Sequence, residues 1–168
     1  MSETIDIEPN ISGKRGQTLK VLSILSWIAI GLSTIVLLFT IARGPYSAEE
    51  MREQKIVLLD GMTDEMIAIL GEEYVNETVM TMEVTNNLFY SIYGFSLAHA
   101  VLGFYAVFLM FNLKKRGFYL YLIYSIVPIF STFGFYGTGT MMVFSVVFSS
   151  IISLVFCIFY GYQLKRMS

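Results

Sequence analysis

Residues 117–164 read GFYLYLIYSIVPIFSTFGFYGTGTMMVFSVVFSSIISLVFCIFYGYQL, 48 positions without an Asp, Glu, Lys or Arg. A bilayer core of about 30 Å is crossed by about 20 apolar residues in a helix. The stretch is therefore too long for one span and suited to two. Pro128 lies in its first half, but Gly134–Thr140 (Gly-Phe-Tyr-Gly-Thr-Gly-Thr) is the better turn, with three glycines and no large aliphatic residue. The reading is a span over 118–135, a turn over 136–140 and a span over 141–162.

Outward from this stretch, two more runs lack charge: 21–42 and 84–113. The 13 Asp or Glu and 11 Lys or Arg fall only within 3–20, 43–83, 114–116 and 165–166. With 55% hydrophobic residues and a mean hydropathy of +0.65, this pattern excludes a soluble domain, a disordered chain and a nucleic-acid binder. The expected fold is all-α: a polytopic membrane protein, a four-transmembrane-helix bundle with a short helical extracytoplasmic cap. Its parts are a flexible cytoplasmic tail (1–20), span one (21–42), an acidic extracytoplasmic loop (43–85), span two (86–113), a basic turn (114–117), the two spans already described and a C-terminal segment (163–168). Val21–Ala42 exceeds the 7–15 apolar residues of a signal-peptide core, so it is read as an uncleaved span.

Orientation follows from basic residues near the span ends. Lys14, Arg15, Lys20, Lys114, Lys115, Arg116, Lys165 and Arg166 fall on one side of a four-span chain; Arg43, Arg52 and Lys55 fall on the other. Both termini are therefore expected in the cytoplasm. The 43–85 loop should hold two short amphipathic helices, the first opened by a capping box at Ser47-Ala48-Glu49-Glu50, and a helical extension into span two. Met51, Leu58, Leu59, Met66, Ile67 and Leu70 are its apolar positions. They are candidates for docking a partner, or for covering the bundle rim.

Within the spans, Ser145, Ser149, Ser153, Cys157 and Gly161 recur every fourth residue, which suggests close helix packing. Ser26, Ala29 and Ser33 in span one, and Ser96 and Gly103 in span two, are the candidate counterparts. His99 is the single histidine. An ionisable residue at this depth is a candidate cofactor or proton site; the alternative is a neutral imidazole bonded to a hydroxyl of Tyr124 or Ser125. Pro128 is a candidate kink, with Ser131 and Thr132 placed to satisfy the disturbed backbone. Asn76-Glu77-Thr78 forms a glycosylation sequon. No carboxylate, second histidine, CxxC or Gly-rich phosphate loop lies in the spans, so no catalytic residue, metal site or cofactor is expected.

The stretches Leu19-Lys20-Val21-Leu22-Ser23-Ile24-Leu25-Ser26, Leu113-Lys114-Lys115-Arg116-Gly117-Phe118-Tyr119-Leu120-Tyr121 and Tyr160-Gly161-Tyr162-Gln163-Leu164-Lys165 resemble a set of small, uncharacterised four-span membrane proteins of Bacteroidota. The resemblance implies a bacterial inner-membrane location and transfers no function or site residue. The resulting expectation is a non-enzymatic accessory or scaffolding subunit, in contact with the lipid bilayer and with a membrane-protein partner or further copies of itself. The alternatives are a small transporter or channel, and a haem- or quinone-associated respiratory subunit.

Overall fold

The computed structural model describes residues 16–167, without the side chains of Asp64, Met66, Leu70 and Arg166. Positions 1–15 of the expected tail thus lie outside the described residues. Among those described there are seven α-helices and no strand: α1 (Gln17–Arg43), α2 (Ala48–Asp60), α3 (Asp64–Leu70), α4 (Glu72–Asn87), α5 (Phe89–Phe111), α6 (Lys115–Tyr136) and α7 (Thr140–Gln163), followed by a 3₁₀ turn at Leu164–Arg166. α1, α5, α6 and α7 are long and apolar enough to cross a membrane, which makes this a membrane protein with a four-helix bundle. α1 starts at Gln17, four residues before the uncharged run begins.

α6 packs most extensively on α5, and α5 in turn on α1; α7 leans on α6 and touches α1 lightly. In lipid there is little hydrophobic drive between helices, so van der Waals contact and close backbone approach hold them together. The α5 and α6 backbones come close at Gly117. A Cβ there would lie 2.6 Å from the Met110 backbone nitrogen and 2.7 Å from the Ala106 carbonyl oxygen.

The chain reverses between α5 and α6 at Leu113, a non-glycine residue with φ of 61°. The Lys114 amide donates to the Leu109 carbonyl (2.9 Å) and the Leu113 amide to the Met110 carbonyl (2.9 Å), the pattern of a left-handed helix stop. Glycine usually occupies such a position. Here the Leu113 side chain is buried in the core, and that burial offsets the backbone cost of about 1 kcal/mol or more. The core itself lies toward this basic end: Leu19, Leu22, Ala106, Val107, Met110, Leu113, Tyr121 and Tyr160 form one cluster.

At the opposite end, α2, α3 and α4 form the cap. The helix expected to run straight into span two is interrupted at Leu88 (φ −103°, ψ 23°) and divides into α4 and α5. α4 is fastened to the neighbouring helix ends by side chains. The Tyr46 amide donates to Asn86 Oδ1 (2.7 Å) while Asn86 Nδ2 donates to the Tyr46 carbonyl (3.0 Å). The hydroxyls of Thr85 and Tyr136 lie 3.1 Å apart. Glu77 accepts from the amides of Thr140 and Met141, both at 2.7 Å. α7 has no capping side chain at its own N-cap, Gly139, so a carboxylate from another helix supplies the cap.

Candidate functional site

Pro128 lacks an N–H, and in an α-helix that N–H would serve the carbonyl four residues earlier, Tyr124. α6 nevertheless runs through Pro128 from Lys115 to Tyr136. Across the α5–α6 interface, His99 Nε2 lies 2.7 Å from the Tyr124 carbonyl oxygen. A carbonyl only accepts, so Nε2 carries the proton and donates it. The His99 ring also stacks on the Tyr124 ring, with centroids 4.2 Å apart and planes inclined by 7°. Gly103, one turn along α5, makes room: a Cβ there would lie 2.5 Å from a Tyr124 ring carbon.

The expected hydroxyl partner of His99 is thus replaced by a backbone carbonyl. Ser125 lies against Cys157 instead, Oγ to Sγ 3.5 Å. Ser131 donates to the Pro128 carbonyl at 3.0 Å, so it serves its own turn and leaves the Tyr124 carbonyl to the histidine.

His99 forms part of the wall between two cavities, each about 210 Å³. One is lined by Ser33, Thr34, Leu37, Ala100 and Tyr124, the other by Phe95, Pro128, Ser131, Thr132 and Phe135; Ser96 and His99 line both. A larger cavity of about 500 Å³ lies at the cap end, lined by Phe39, Arg43, Tyr46, Asn86, Phe89 and Tyr93. Among the described residues no group of three or more His, Cys, Asp or Glu comes together.

The small-residue stripe of α7 does not stay on one face. At 3.6 residues per turn each four-residue step advances about 40°, so the stripe drifts roughly 160° from Ser145 to Gly161. Ser145 and Ser149 are exposed, while Ser153, Cys157 and Gly161 are half-buried. The buried positions of α7 are Met142, Val146 and Tyr160. In α1, Ser26 is buried, whereas Ala29 and Ser33 are exposed. In α5, Gly103 is buried and Ser96 half-buried.

In the cap, Met51 and Leu58 are half-buried on the face of α2 that carries Lys55, whose ammonium pairs with Glu83 of α4. These two expected docking residues therefore turn toward α4. Ile67 is half-buried and Leu59 exposed; the side chains of Met66 and Leu70 lie outside the described residues. The apolar residues that α2 and α3 do expose include Ile56, Val57 and Ile69, the last at 82%. Helical periodicity could not single them out, because they follow from how α2 and α3 seat on α4. The capping box at Ser47 and Glu50 is present, and Ser47 N–H holds the Glu50 carboxyl below its ordinary value of 4.5. In the sequon, Glu77 caps α7 and the Thr78 hydroxyl donates to the Tyr74 carbonyl at 2.8 Å.

No protein-family model, curated protein or solved structure matches the chain.

Proposed function

We propose that the chain is a non-enzymatic accessory or scaffolding subunit of a bacterial inner-membrane complex, with both termini cytoplasmic and the cap on the other side. The observation that carries this reading is the construction of the cap. α4 is a pedestal bonded to Tyr46, to Tyr136 and to the start of α7. Upon it α2 and α3 leave Ile56, Val57, Leu59 and Ile69 exposed. Apolar side chains held outward on an anchored support are a common mark of a protein contact surface.

Photo-crosslinking residues at Val57 and Ile69, in cells, test the reading. Discrete protein adducts at both positions, absent when the probe replaces the exposed Lys114 at the opposite end of the bundle, are expected. Adducts to lipid alone, or none at any position, would sink it. Native purification in mild detergent should recover the same adduct partner in fixed ratio.

A further inference from the structure

We propose that the cleft at the cap end of the bundle, built around Arg43, binds the phosphate head of an anionic phospholipid from the adjoining leaflet. The site does not depend on whether the cap docks a partner.

The first argument is size and place. The cleft holds about 500 Å³, within the roughly 300–1,000 Å³ of a small-molecule site. It straddles the edge of the membrane. Phe39 and Arg43 belong to the end of α1, and Phe89 and Tyr93 to the start of α5, two helices long and apolar enough to cross a bilayer. Tyr46 and Asn86 reach it from the cap side. Arg43 is the first charged residue after the uncharged run 21–42. Its guanidinium therefore lies at the depth of the lipid head groups.

The second argument is charge. Arg43 is the one charged residue among the described residues that line the cleft, and a guanidinium stays protonated at any working pH. Among the described residues no carboxylate oxygen lies within 4.0 Å of it. Glu50 feels the same charge, but it stands in the capping box, where its carboxylate accepts from the Ser47 amide at 2.7 Å.

The third argument is preorganisation. Arg43 Cζ lies 4.1 Å from the centroid of the Tyr46 ring, and Nη1 donates to Tyr46 Oη at 2.8 Å. The backbone of Tyr46 is in turn bonded in both directions to the Asn86 side chain. The cation is thus held against a ring that is itself anchored to α4. The rest of its planar fork is left for an oxyanion. The Tyr46 hydroxyl accepts from Arg43, so its own proton is left for the same ligand.

A free phosphate and a phospholipid head share this chemistry, and the apolar walls favour the lipid. Phe39 is 74% exposed. Val36, one turn nearer the bilayer centre, is exposed on the same face. Together they form an apolar track along which an acyl chain lies while its head sits at Arg43. A zwitterionic head also brings a positive charge, and the cleft lining offers no carboxylate to receive it.

The test uses the intact chain in phosphatidylcholine nanodiscs doped with a phosphatidylglycerol that carries a diazirine in its head group. Adducts are mapped by peptide mass spectrometry. Saturable labelling within 39–46 and 82–93 is expected. A phosphatidylcholine probe with the same diazirine should label these segments about tenfold less. Arg43→Gln should cut the phosphatidylglycerol labelling about tenfold, through loss of the charge-assisted contact. Phe39→Glu leaves Arg43 in place but sets a carboxylate one turn away, and should cut it similarly. Both side chains are exposed, so neither variant opens the core. Lys115→Gln, at the opposite end of the bundle, should leave the labelling unchanged. Equal labelling by the two lipid probes, or unchanged labelling in either cleft variant, overturns the site. Displacement of the lipid probe by inorganic phosphate would mean a soluble oxyanion and overturn the lipid assignment.

Discussion

Ser26 Oγ and Tyr160 Oη lie 3.0 Å apart in the interior and join the first membrane-spanning helix to the last. Both residues are buried, Tyr160 completely. α1 and α7 otherwise touch lightly, so this pair closes the ring of four helices. Tyr160→Phe keeps the ring packing and removes the hydroxyl. Its expected cost is about 0.6–1.7 kcal/mol, the range for hydrogen bonds between helices in membranes. Tyr160→Ala also opens a cavity and should cost about 3–5 kcal/mol. Reversible unfolding in mixed micelles measures both.

His99 and Pro128 should be coupled. His99→Leu leaves the Tyr124 carbonyl without its donor and should cost about 1–3 kcal/mol. Pro128→Ala restores the helix N–H and should recover much of that loss in the double variant. A double-mutant cycle reports the coupling, and additive effects would mean that the histidine does not stand in for the missing amide.

The glycines should differ in a definite order. Gly117→Ala drives a methyl into the backbone of α5 and should be the most damaging, at about 3 kcal/mol or more. Gly103→Ala meets the Tyr124 ring, which His99 holds in place, and should cost about 1–3 kcal/mol. Gly134 has nothing within 4 Å of an added Cβ, so Gly134→Ala should be neutral or slightly stabilising. Thermal melts in one detergent would rank the three.

Glu77→Ala should free the amides of Thr140 and Met141 at the start of α7. Loss of a helix cap costs about 0.5–2 kcal/mol. Hydrogen exchange is the sensitive measurement: protection at 140–141 should fall in the variant, while Glu73→Ala leaves it unchanged.

The Glu50 carboxyl is held down chiefly by the backbone N–H of Ser47, which donates to its Oε2 at 2.7 Å. A lowered folded value means that the charged form is favoured by folding. The capping contribution is therefore complete above the ordinary value of 4.5 and is lost as pH falls through the lowered one. Acidification through that window should fray the start of α2. Ser47→Ala removes the hydroxyl contact but not the backbone donor, so the Glu50 carboxyl ¹³C titration should move only part of the way up.

The stripe on α7 shows where a linear pattern misleads. A four-residue period is visible in the sequence, but on a 3.6-residue helix it winds, so its first members face outward and its last two, Cys157 and Gly161, lie against Ser125 and Phe118 of α6. The docking residues of the cap show the same limit. The apolar period of α2 identifies a face, yet that face includes Lys55, which Glu83 draws onto α4, and the residues left outward are Ile56, Val57 and Leu59. Glu77 was legible only as part of a sequon. Its role depends on the amides of residues 140 and 141, more than sixty positions away.

By itself, the sequence determined that four helices are long and apolar enough to cross a membrane, that a capping box opens the cap, and that one histidine lies mid-helix. These follow from local properties: hydrophobic length, charge placement and turn chemistry act over a few residues and are written in order along the chain. The tertiary structure alone decided which faces meet. In lipid, apolar surface does not distinguish a neighbouring helix from the bilayer, so the choice falls to close approach at Gly117 and Gly103 and to a few polar pairs. Ser26 with Tyr160, Glu77 with the start of α7, and His99 with the carbonyl that Pro128 leaves unserved each join residues whose partnership no local pattern encodes.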